Sequence, residues 1–145
     1  VQMQKLPGIL ERHRRVWRRI RRQLRAFAEI TWQQSNDPEG DIGYLMRFFP
    51  ENDSLGRRIA EALSAEGIGA SYRGAEAGPD WHMYRYYYPL FDEHAEQCDA
   101  EHCPTAADLY NRSIGIHLNQ WWSDEDCDAV ANGINKVLAA CCTAV

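Results

Sequence analysis

The feature that most constrains this chain is a helix signal near its C-terminus. Cys127, Val130, Ala131, Ile134, Val137, Leu138 and Cys141 recur at helical spacing and form one apolar stripe. Ser123 precedes Asp126 by three residues, so a side-chain oxygen can cap the helix start. Asp124, Glu125 and Asp126 put negative charge in the first turn, where the helix dipole favours it. Directly upstream, Ser113 to Leu118 reads as a strand and Asn119 to Trp122 as an aromatic loop. The pattern predicts a terminal helix docked by one face.

A second amphipathic helix is predicted from Leu6 to about Phe27, with Leu10, Trp17, Ile20, Leu24 and Phe27 as its apolar stripe. Pro7 suits a first turn, or marks a kink if helix precedes it. Eight of the chain's arginines fall between Arg12 and Arg25, although the net charge is -5. Such a helix can serve as a nucleic-acid or anionic-membrane surface, or as a solvated face neutralised by acid elsewhere. The apolar stripe favours the second reading, because it needs a core on its other side. No apolar run approaches the ~18 residues that span a membrane.

Between these helices the signals alternate. Ala28 to Gln33 reads as a short strand, Ile42 to Phe49 as the best strand, and Ile68 to Tyr72 as another. Pro50 to Asp53 stops the second strand and caps a helix from Ser54 to Glu66, with Leu55, Ile59, Ala62 and Leu63 inside and Gly67 as its terminal glycine. A chain of 145 residues suits one domain, and this alternation describes an α/β sandwich of two layers.

Two clusters could carry chemistry. Asp80 to Tyr88 is dense in aromatic side chains with polar tips, which suits a polyhydroxylated ligand, a structural patch or an interface. His94, Cys98, His102 and Cys103 have a spacing that could hold zinc, but it matches no common module, so no metal site is assigned. The odd count of five cysteines makes a poor disulfide framework and fits reduced, cytoplasmic thiols. No Gly-rich phosphate loop, nucleophile elbow or His-Glu-x-x-His helix occurs.

The wording of several segments goes further. Cys103-Pro104 with Ala106, then Leu109 to Ile116 carrying Arg112-Ser113-Ile114, then Trp122 to Asp126, then Ile134 to Leu138 resembles the C-terminus of pyridoxal-phosphate-dependent sugar aminotransferases of the DegT/StrS type. Lys5 to Arg15 is similar to the helix that leaves the large domain in that family. The resemblance implies an α+β small domain: a small, mostly antiparallel sheet covered on one face by helices, as in fold-type I aminotransferases. It implies that residues 1–145 are this domain, with a cofactor-binding large domain expected before Val1. It also implies a cytoplasmic homodimer that aminates a keto-sugar or cyclitol ketone from an amino-acid donor such as glutamate or glutamine.

The implied substrate-side residues are Trp81, His82 and Tyr84, in a loop that approaches the active site, with Tyr72 and Arg73 at the end of the preceding strand. His117 and Asn119 sit where the family places the domain cleft, though His117 can equally satisfy a hydrogen bond in a half-buried strand. No catalytic residue is expected here. The only lysines, Lys5 and Lys136, lack the desolvated or cationic surroundings of a Schiff-base lysine, so pyridoxal phosphate would be held by the large domain and the chain alone would be inactive. The competing reading is a free-standing nucleic-acid or interaction module built on residues 12–25.

Overall fold

The computed structural model of the chain describes residues 2–77 and 103–145. They form α1 (Gln2–Gln23), β1 (Ile30–Trp32), β2 (Leu45–Pro50), α2 (Asp53–Ala65), β3 (Ser71–Tyr72), α3 (Pro104–Arg112), β4 (Ile114–His117) and α4 (Asp124–Cys141). The strands pair antiparallel in the order β1-β2-β4-β3. The two-layer α/β expectation therefore holds among the described residues.

Register explains which side chains face inward. Met46 pairs with Ile116, Phe48 with Ile114, and Ile30 with Pro50, so these side chains share one face. All are buried, and they join Val16 and Ile20 of α1, Leu55, Ile59 and Leu63 of α2, and Cys127, Ala131, Ile134, Val137 and Leu138 of α4 in one core. Each Val, Leu, Ile, Phe or Met among them contributes roughly 1.5–3 kcal/mol by leaving water. The opposite face carries Thr31, Leu45, Arg47, Ser71, Gly115 and His117, which are half-buried or exposed apart from Gly115.

Helix α4 starts as its sequence predicts. The Ser123 hydroxyl accepts from the Asp126 N–H at 3.1 Å, and the Asp126 carboxylate accepts from the Ser123 N–H at 2.9 Å. The same acidic turn has a second role. Arg15 reaches Asp124 at 2.6 Å, and Arg19 reaches Asp124 at 2.8 Å while forking onto Asp128 at 2.8 and 2.7 Å. Acid on the last helix thus neutralises part of the arginine run on the first.

Several boundaries differ from the sequence reading. Helix α1 begins before Pro7, which lies inside it, and ends at Gln23 instead of near Phe27. Its end is fixed from α4: the Asn135 amide donates to the Gln23 carbonyl at 2.8 Å and accepts from the Arg25 N–H at 2.9 Å. Phe27 then leaves the helix and bridges to Ala144. The expected strand from Ile42 starts only at Leu45, because Gly43 turns the chain at φ 74° beside Trp17. The strand expected from Ile68 shortens to Ser71–Tyr72. Ile68 closes the end of α2 instead, donating to the Leu63 carbonyl at 2.9 Å after Gly67 at φ 77°.

Candidate functional site

The exit from β4 gathers the polar and aromatic groups that a sugar-like ligand could use. Ile114 and Ile116 anchor β4 in the core, which leaves the exposed His117 at its end on the outer face. Leu45 pairs with His117, and this register brings the neighbouring Tyr44 ring to 6.2 Å from the imidazole, tilted by 46°. His117, Ser71 and Trp122 border a cleft of about 500 Å³, together with residues 67–70 and Ile116.

The loop after His117 is locally built. The Asn119 carbonyl accepts from the Trp122 N–H at 3.1 Å, and its side-chain oxygen accepts from the Trp121 N–H at 3.0 Å. Asn119 thereby makes a compact turn, and among the described residues its side-chain amide nitrogen remains available as a donor. The turn presents Trp121, which is 70% exposed and lies under the Arg12 guanidinium at 4.3 Å.

Tyr72 and Arg73 are placed elsewhere. Tyr72 pairs with Ile114, at the opposite end of β4 from His117, and faces the helix layer. Its hydroxyl donates to the Asp53 carboxylate at 2.6 Å, in the first turn of α2. Burial first, and this hydrogen bond second, push the phenol well above its ordinary range. Arg73 lies over the Tyr110 ring at 5.5 Å and donates to the Ala77 carbonyl at 3.4 Å. The structure therefore brings His117 and Asn119 together, and separates them from Tyr72 and Arg73.

Trp81, His82 and Tyr84 lie outside the described residues, as do His94, Cys98 and His102 of the zinc spacing. Among the described residues no three His, Cys, Asp or Glu side chains gather as a metal site. Nor is any described helix long and apolar enough to cross a membrane. Tyr44, Ser71 and Trp122 were not singled out by sequence. Tyr44 and Ser71 each come near β4 through strand register, which only the assembled sheet supplies.

Residues 1–135 match the DegT/DnrJ/EryC1/StrS aminotransferase family. No curated protein matches the chain at a significant level. Among solved structures, the chain is similar to a protein described as a sugar aminotransferase, Spr1654 from Streptococcus pneumoniae. Its PMP form gives a TM-score of 0.69 at 19% identity over 97% of this chain and 33% of that one. Its PLP form gives 0.68 at 20% identity over 99% and 34%. The aminotransferase TlmJ from Streptoalloteichus hindustanus gives 0.62 at 18% identity over 97% and 34%. The chain thus spans about a third of the length of these proteins and shares their fold over that third.

Proposed function

The chain belongs to the DegT/DnrJ/EryC1/StrS aminotransferase family, and from that premise we propose that it is the small domain of a pyridoxal-phosphate-dependent enzyme that aminates a keto-sugar or cyclitol ketone. The family match over residues 1–135 carries the reading. The fold shared with one third of longer aminotransferases supports it.

Pyridoxal phosphate, in such an enzyme, carries the amino group from an amino-acid donor to the ketone. Neither of the chain's two lysines fits the role of the lysine that must condense with it. Lys136 is held by the Glu66 carboxylate at 2.7 and 2.9 Å on an exposed helix face, and Lys5 is exposed on α1. Neither is desolvated in the way a carbonyl-condensing lysine requires. Cofactor binding and the covalent steps therefore fall to a large domain of the same enzyme, and this chain alone is inactive.

The role left to this chain is to wall one side of the cleft and orient the acceptor. His117 and the Asn119 amide can hydrogen-bond hydroxyls, while Tyr44 and Trp122 offer flat apolar faces to a ring. Trp81, His82 and Tyr84 join them in this reading, with Tyr72 and Arg73 at the end of β3 in a supporting role. We place the enzyme in the cytoplasm as a homodimer.

The test uses the complete protein that contains this chain, assayed in separate donor and acceptor half-reactions. His117→Ala and Asn119→Ala should raise KM for the ketone by about tenfold, equivalent to one lost hydrogen bond to a polar substrate group, with donor turnover unchanged. An unchanged KM for both variants would remove the acceptor-binding role. Failure of the complete protein to transfer an amino group at all would remove the enzymatic reading.

A further inference from the structure

The arginines of α1 have two different environments. Arg15 and Arg19 are matched by Asp124 and Asp128. Arg14, Arg18 and Arg21, spaced four and three residues apart, instead line a cleft of about 410 Å³ between α1 and the 33–44 segment. Trp17, Trp32 and Tyr44 line it with them. Strand β1 stops at Trp32, opposite Phe48, so the start of β2 runs on past it and forms the cleft's inner edge.

This cleft is a built one. Asp37 organises its outer lip, accepting from the Gly40 N–H at 3.0 Å through its side chain and from the Asp41 N–H at 3.0 Å through its carbonyl. The Asp41 carboxylate is turned onto the Gly43 N–H at 2.9 Å. The Arg14 Nε fastens the lip to the helix by donating to the Asp41 carbonyl at 2.8 Å. Arg21 lies over the Trp32 ring at 5.1 Å. Among the described residues neither Arg14 nor Arg21 has a carboxylate partner, and Arg18 has only Glu39, at 3.5 Å and 89% exposed.

We infer that this cleft binds a small organic phosphate, with the phosphate held by Arg14, Arg18 and Arg21 and the body laid on the indole and phenol rings. Guanidinium forks match phosphate oxygens, and three on one flank leave an excess of positive charge that a dianion would neutralise. Aromatic walls accept a ring or apolar body, and the volume suits a compound of mononucleotide size. Glu39 is the internal carboxylate that an incoming phosphate displaces from Arg18. The inference goes beyond the aminotransferase reading and does not depend on it.

The test titrates adenosine diphosphate, inorganic pyrophosphate and adenosine into the full chain, followed by tryptophan fluorescence and calorimetry. Adenosine diphosphate should bind tightest, pyrophosphate less tightly, and adenosine not measurably. Arg14→Ala and Arg21→Ala should each weaken adenosine diphosphate by about tenfold, the scale of one charge-assisted contact. Arg21→Lys, which leaves the lip fastened and keeps the charge, should give a smaller loss, and Glu39→Gln should tighten binding. Arg22→Ala, on another flank of α1, should leave binding unchanged. Undiminished binding in the Arg14→Ala/Arg21→Ala double variant would overturn the proposal. So would a chain that takes a single-stranded oligonucleotide but neither pyrophosphate nor adenosine diphosphate, or that binds none of these probes.

Discussion

The Tyr72 hydroxyl donates to the Asp53 carboxylate at 2.6 Å and lies 2.9 Å from the Asp53 carbonyl oxygen. The same carboxylate accepts from the Ala75 N–H at 3.0 Å. One acidic side chain in the first turn of α2 thus holds the edge strand β3 and the turn that follows it. Gly56 makes room for the arrangement, since a Cβ there would meet the Tyr72 ring at 2.9 Å.

This tie gives an alkaline signature. The folded phenol ionises above its unfolded value, which is about 10. Its contribution is therefore complete below pH ~10 and is lost as the pH rises through the folded value. Urea unfolding across that range should show wild type losing stability faster than Tyr72→Phe. At neutral pH the Phe variant should cost about 1–3 kcal/mol, because the partly buried carboxylate loses its strongest donor.

The pairing of α1 with α4 predicts the opposite pH limb. The Arg19 fork first, then Gln23, holds the Asp128 carboxyl below its ordinary range. A lowered folded pKa adds stability above the unfolded value near 4, and that stability disappears as the pH falls through the folded value. Melting curves from pH 6 to 2 should therefore be steeper for wild type than for Asp128→Asn. Added salt should narrow the gap, since the two side chains are 37% and 40% exposed.

Ser123→Ala removes the side-chain acceptor for the Asp126 N–H and breaks the capping box. The expected loss is about 1 kcal/mol, read as a shift in the urea midpoint with an unchanged slope. Ser123→Asp should retain most of the stability, because it restores an acceptor at the same place.

Thiol labelling should sort the cysteines by burial. Cys127 is fully buried in the α4 stripe, and burial pushes its thiol up, whereas Cys103 is exposed. Cys142 is pushed up to about 11, again chiefly by burial. Among the described cysteines, mass spectrometry at pH 8 should find Cys103 modified first and Cys127 modified only as fast as the protein unfolds. Early labelling of Cys127 would show that the α4 stripe is not docked as described.

What could be read in the sequence was what depends on neighbours along the chain. The Ser123 cap, the α4 stripe and the Gly67 stop are local signals, and the structure reproduces them. Val16 was missed from the α1 stripe, yet it is fully buried. The end of α1 could not be read at Gln23, because its cap comes from Asn135, over one hundred residues away. The site shows the same division. His117 and Asn119 stood out on a strand exit, but the placing of Tyr44 beside His117 follows from pairing between β2 and β4. The Tyr72 hydroxyl is committed to Asp53, a partner nineteen residues earlier that the residues around Tyr72 do not signal.

The ion pairs between α1 and α4 have a consequence for synthesis. Arg15 and Arg19 meet acids that lie more than one hundred positions later, so the ribosome releases the basic helix long before its counter-ions exist. At a translation rate of about 5–20 residues per second, that interval lasts several seconds. During it the nascent segment is cationic, amphipathic and without its α4 counter-ions, and the residues up to Asp128 must emerge before α1 can settle against α4.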